Sequence, residues 1–202
     1  MPKIYLYGAS NTDGYDPRGM LKGRYGPEFR FPDVLRKTLG SSQWVVVEDG
    51  LNGRKIPGEG YLSDYFLQKL QAAMPLDYVA VMLGTNDVLS MREPDPAVIT
   101  SRLEQLCLRV QELLKQKDSQ ARLLILTPPP LDLCDDDGIN LGEAISQLQQ
   151  SYQELAQQHG WGFVDTRPWH LELSYDGIHL SEQGSREMGV RFACLLKMID
   201  DR

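Results

Sequence analysis

The chain predicts an α/β fold built on a five-stranded parallel sheet. Along its 202 residues, short apolar runs alternate with longer stretches of helical period, turn formers bound the runs, and several runs are apolar without alternation. A strand covered on both faces has no polar side to display, so its run stays apolar throughout. The β-α-β-α order then implies a doubly wound sheet, whose ligand crevice lies beyond the carboxyl ends of its strands.

In order, Ile4 to Tyr7 reads as the first strand and is followed by the small-residue segment Gly8-Ala9-Ser10. Phe31 to Leu39 has helical period, and Trp44 to Val47 is the second strand. Ser63 to Ala73 is a helix, and Tyr78 to Leu83 is the third strand. In the next helix, Pro96 to Lys117, the residues Leu103, Leu106, Val110, Leu113 and Leu114 recur at i+3 or i+4 and mark one buried face. Leu123 to Leu126 is the fourth strand, Leu141 to His159 a helix, and Gly162 to Val164 the fifth strand. The last helix, Glu182 to Ile199, opens after Ser181, a residue type that caps helix N-termini. No internal repeat, linker or low-complexity tract interrupts the pattern, so a single domain over 1–202 is expected.

The net charge of −7 disfavours nucleic acid as a partner, because duplex binding needs Lys and Arg against phosphates and no basic stripe is present. Arg18, Lys22, Arg24 and Arg30 do cluster in one early loop, where a solvated surface and a subsite for an anionic substrate are the two readings. Cys107, Cys134 and Cys194 are odd in number and widely spaced, which encodes neither a disulfide framework nor a thiolate zinc site. No apolar run reaches the length of a membrane span, and the first strand leaves no room for a signal segment after Met1. A cytoplasmic protein that does not engage membranes is the expectation. Homo-oligomer formation is left open.

Three distant segments carry chemistry: Gly8-Ala9-Ser10-Asn11-Thr12, Gly84-Thr85-Asn86-Asp87 and Asp176-Gly177-Ile178-His179. Acyl transfer needs a hydroxyl nucleophile, oxyanion donors and an oriented imidazole, and these segments hold one of each. Ser10 and Asn86 each follow an apolar run by three residues, and Gly53 lies a few residues beyond the second run, so all three are expected at one sheet edge. Taken alone, Gly-Ala-Ser is a strand-to-loop turn, Asn86 a loop-capping residue and Asn52-Gly53 a turn. Asp176 and His179, three apart, would project to one side of a helical turn, letting the carboxylate accept from Nδ1 and leaving Nε2 for a nucleophile. No further carboxylate or histidine supplies the ligands that zinc would need. His159 ends a helix and His170 lies in a loop without an evident partner.

With Gly50-Leu51-Asn52-Gly53-Arg54 and the extension to Leu180-Ser181, these segments resemble the SGNH, or GDSL, hydrolase family, most closely its bacterial arylesterase and acyltransferase branch. The resemblance implies a flavodoxin-like three-layer α/β/α sandwich. It makes Ser10 the nucleophile, His179 the general base and Asp176 its orienter, with Ser10 N–H, Gly53 N–H and the Asn86 amide as the oxyanion hole. A serine esterase for small, short-chain esters is implied, acting through an acyl-enzyme without cofactor or metal. The family's first block usually carries Asp where this chain has Ala9; nearby Asp13 is a candidate replacement. A catalytically weak ligand-binding protein on the same fold is the alternative. A flavin or nucleotide binder is disfavoured, because the long Tyr15-to-Pro27 loop separates the first strand from the first long helix.

Overall fold

The computed structural model describes residues 1–19, 23–133 and 140–200; Lys22 and Cys134 lie outside them. The chain runs β1 (Lys3–Gly8), α1 (Ser10–Asp13), α2 (Phe31–Leu39), β2 (Val45–Gly50), α3 (Tyr61–Ala73), β3 (Tyr78–Met82) and α4 (Thr85–Ser90). It continues through α5 (Pro96–Gln116), β4 (Arg122–Leu126), α6 (Leu141–His159), β5 (Gly162–Val164), a 3-10 turn (Arg167–Trp169) and α7 (Glu182–Asp200).

The strands pair in parallel in the order β2-β1-β3-β4-β5. From β1 the chain first steps to β2, then crosses back to build β3, β4 and β5 on the other side. That reversal opens a crevice at the carboxyl ends of β1 and β3. Successive side chains of each strand point to opposite faces. Ile4, Leu6, Tyr78, Ala80, Leu124 and Leu126 pack with Phe31 and Leu35 of α2 and with Met188 and Phe192 of α7. Tyr5, Tyr7, Val79, Val81, Leu123 and Ile125 pack on the other face with residues of α3, α5 and α6. Both faces are covered, which is why the runs show no alternation in the sequence.

Two boundaries differ from expectation by more than one residue, and two short helices are additional. β2 extends through Glu48 and Asp49 to Gly50, because both carboxylates are paired: Glu48 with Arg30 and Arg36, Asp49 with Arg54 and Lys69. α3 begins at Tyr61, two residues early. α1 and α4, of four and six residues, are too short to show a period and were not expected. The cap at Ser181 is formed as expected, its hydroxyl accepting the Gly184 N–H at 3.0 Å. No helix among the described residues is long and apolar enough to cross a membrane.

Candidate active site

At the end of β1 the chain turns at Ala9 and enters α1 at Ser10, so the serine lies at the first position of a short helix and not in the expected loop. N–H groups in a first helical turn have no carbonyl within the helix to bond. α1 passes so close over β2 that a Cβ at Gly50 would stand 2.4 Å from the Asp13 nitrogen. Only glycine fits there. Ser10 is 5% exposed. Ala9 is packed in the core, and its carbonyl accepts the Asp13 N–H at 2.9 Å.

Asp13 does not take over from the missing family carboxylate. Its side chain is occupied by Arg24, with Nε donating at 2.9 Å and a second bond from Nη2, while Arg30 Nε donates to its backbone carbonyl at 2.7 Å. Among the described residues, no backbone N–H of the Ser10 corner donates to it.

Asp176 and His179 do not share a helical turn. They sit in a tight loop closed by an antiparallel bridge between Leu173 and Leu180, with Gly177 at a φ of +66°. Asp176 Oδ1 accepts the backbone N–H groups of Ile178 and His179, each at 3.0 Å, and Oδ2 lies 2.6 Å from His179 Nδ1. A carboxylate side chain bonding the N–H two residues on is the Asx-turn, which explains the spacing without a helix. Burial pushes the Asp176 carboxyl up, but the His179 ring and the two backbone donors outweigh it and hold it below the usual carboxylate range.

Residues next to Ser10 are tied to His179 and to the residue that follows it. Asn11 Oδ1 accepts the Leu180 N–H at 2.9 Å, and the Tyr15 ring stands 4.7 Å from the His179 ring, centroid to centroid. Tyr25 Oη donates to the Leu180 carbonyl at 2.9 Å, and Tyr175 Oη to that of Pro17 at 2.8 Å. The long loop after α1 is thus the platform on which the histidine loop rests. No hydrogen bond joins Ser10 Oγ to the His179 ring among the described residues, and such bonds are often long before substrate binds.

Gly53 occupies the third position of a turn closed by the Arg54 N–H on the Leu51 carbonyl at 3.1 Å. Its φ of +75° is what demands glycine, as in type II turns. Crowding is not the cause: a Cβ there would meet nothing within 4 Å. Asn86 Nδ2 donates to the Arg54 carbonyl at 3.0 Å, and Asp87 Oδ2 accepts the Ile56 N–H at 3.0 Å. Two successive side chains of α4 therefore grip the strand of chain that follows Gly53. Beside this turn opens a cavity of about 610 Å³, lined in part by Tyr7, Leu51, Ile56, Tyr61 and Phe66.

The three described cations of the basic loop are each ion-paired, which disfavours both an anion subsite and a merely solvated surface at Arg18, Arg24 and Arg30. Arg18 pairs with Asp16 and Glu182, Arg24 with Asp13, and Arg30 with Asp33 and Glu48. His159 contacts Glu104 at 2.6 Å and stacks on Trp161, while His170 closes the 3-10 turn. Asn11, Tyr15, Arg54 and Asp87 were not singled out by sequence reasoning, although three of them lie inside the quoted motifs.

Residues 6–187 match the family described as GDSL-like lipase/acylhydrolase. Among solved structures, a putative arylesterase from Agrobacterium tumefaciens is 29% identical with a TM-score of 0.83, over 98% of this chain and 100% of that one. A carbohydrate acetylesterase family member from Sinorhizobium meliloti is 28% identical (TM-score 0.79, covering 98% and 99%). The M. smegmatis aryl esterase is 26% identical (TM-score 0.81, covering 98% and 99%). A comparison with curated protein sequences returns no match.

Proposed function

The chain belongs to the GDSL-like lipase/acylhydrolase family and is a carboxylic ester hydrolase, and from that premise we propose that it works through an acyl-enzyme on Ser10. His179 Nε2 removes the Ser10 hydroxyl proton as Oγ attacks the ester carbonyl carbon. The carbonyl oxygen becomes an oxyanion that accepts from Ser10 N–H, Gly53 N–H and the second N–H of the Asn86 amide. Collapse expels the alcohol, which takes the proton from His179, and water repeats the sequence to release the acid and free Ser10. Asp176 holds the Nδ1–H tautomer throughout.

The observation that carries this reading is the double tie of the histidine loop: Asp176 fixes both the backbone and the ring of His179, and Asn11 anchors the next residue, Leu180, beside Ser10. A mere ligand binder on the same fold has no use for an imidazole oriented by a carboxylate. Short acyl groups such as acetyl are the proposed substrates, in keeping with the arylesterase and carbohydrate acetylesterase names of the similar structures. We place the enzyme in the cytoplasm as a single domain; Cys107 and Cys194 are free thiols.

An organophosphonate probe should label Ser10, and Ser10→Ala should lose roughly 10³-fold or more in kcat on 4-nitrophenyl acetate. Label recovered by mass spectrometry on another residue, or an Ala variant that keeps its turnover, overturns the assignment.

A further inference from the structure

We propose that Arg54 is a positioning residue for this reaction, its guanidinium and its backbone carbonyl together setting the Gly53 turn and the Asn86 amide against the Ser10 corner. The inference rests on the roles given above to Ser10, Gly53 and Asn86.

Arg54 touches all three segments. Its Nη1 donates to the Gly8 carbonyl at 2.9 Å, at the end of β1 two residues before Ser10, and also to the Asp49 carbonyl. Its Nη2 donates to Asp49 Oδ1 at 2.8 Å, at the end of β2. Its own carbonyl receives the Asn86 amide at 3.0 Å, and its N–H closes the turn that contains Gly53. The guanidinium carbon stands over Tyr7, 4.3 Å from the ring centroid, and Tyr7 is in turn stacked on Phe66 at 3.7 Å.

Charge alone does not explain this arrangement. Asp49 already has a cation in Lys69 Nζ at 2.7 Å and a donor in Tyr5 Oη at 2.8 Å. What Arg54 adds is a set of divergent bonds to two backbone carbonyls and one carboxylate from a single planar fork, with its face on an aromatic ring. An ammonium has neither the fork nor the face. The Gly8 carbonyl also accepts the Leu51 N–H at 3.2 Å, so the bonds at that atom set how far the turn sits from the strand that delivers Ser10. Donors aimed at an oxyanion act only if they are held in place before the charge develops.

The test compares Arg54→Lys, Arg54→Met and Lys69→Met on 4-nitrophenyl acetate, with Ser10→Ala alongside. Oxyanion donors act in the transition state, so their displacement should lower kcat and leave KM nearly alone. Both Arg54 variants should lose about 10–100-fold in kcat with KM within about threefold of the parent. Lys69→Met, which removes the other cation from Asp49 but no bond to the turn, should keep kcat within about threefold. Should Arg54→Met fail to fold, Arg54→Lys, which keeps a cation beside Asp49, carries the same comparison. Recovery of kcat in Arg54→Lys would show that only charge matters there and overturn the proposal. So would a rise in KM at constant kcat, or an equal loss in Lys69→Met. An active Ser10→Ala would instead sink the reading on which the proposal stands, which keeps the two failures apart.

Discussion

Asn86 commits one amide N–H to the Arg54 carbonyl and has a second to offer, so it is at once a brace for the Gly53 turn and a donor toward the proposed oxyanion. Loss of one oxyanion donor typically costs about 10²–10³ in kcat, or about 2.7–4 kcal/mol. Asn86→Ala should therefore lower kcat by that order with little change in KM. A KM that rises while kcat holds would show that Asn86 binds substrate in its ground state. The residue types at 10, 86, 176 and 179 were legible in the sequence because each chemical task admits few side chains. Arg54 and Asn11 were not. Arg54 reaches Gly8 46 positions away and Asn11 reaches Leu180 169 positions away, and nothing in local spacing announces a hydrogen bond across such a separation. Asp49 left a fainter trace, the second of two carboxylates after an apolar strand run, which a buried strand end tolerates only with partners.

The long elements were readable from period, while the short ones were set by tertiary contact. α5 shows both. Its buried stripe of Ile99, Leu103, Leu106 and Val110 follows the helical repeat, but its start is fixed by Asp95, whose Oδ1 accepts the N–H groups of Ala97 at 2.9 Å and Val98 at 3.2 Å. Pro96 at the first helical position lacks the N–H that would have gone unpaired. Asp95→Ala should cost about 0.5–2 kcal/mol, read as a lower urea midpoint at unchanged slope, with kcat untouched because the cap lies outside the proposed site. α1 and α4 gave no such signal. Each is a single turn or little more, placed where a strand end, a close-packed neighbour and a functional residue coincide.

Over the whole molecule, strand order explains why segments so far apart meet. β1 and β3 flank the reversal of the sheet, and Ser10 and Asn86 lie just past their carboxyl ends, with Gly53 past the adjacent β2. The convergence was foreseeable from the alternating pattern; the register and the geometry of the histidine loop were not, since both depend on which side chains find partners. Asp87 links this region to global stability. It is fully buried, its Oδ1 has no hydrogen bond, and the nearest described cation, Arg102 Nη1, is 3.8 Å away. Burial raises its pKa, only partly offset by the Ile56 N–H and by the charges of Arg102 and Lys55. A carboxyl raised on folding contributes its stability fully below its unfolded value and loses it as pH climbs through the folded one. Asp87→Asn should therefore gain thermal midpoint relative to the parent as pH rises from below the carboxylate range toward neutrality. A difference that stays flat or falls over that interval would mean the carboxyl is not raised. The bond from Leu180 to Asn11 has a kinetic side as well. It spans 169 positions, so the proposed nucleophile and base cannot be aligned until nearly the full length of chain has been drawn together. Recovery of turnover during refolding would then report the closing of one of the longest loops in the protein, the same long-range closure that packs α7 against β1.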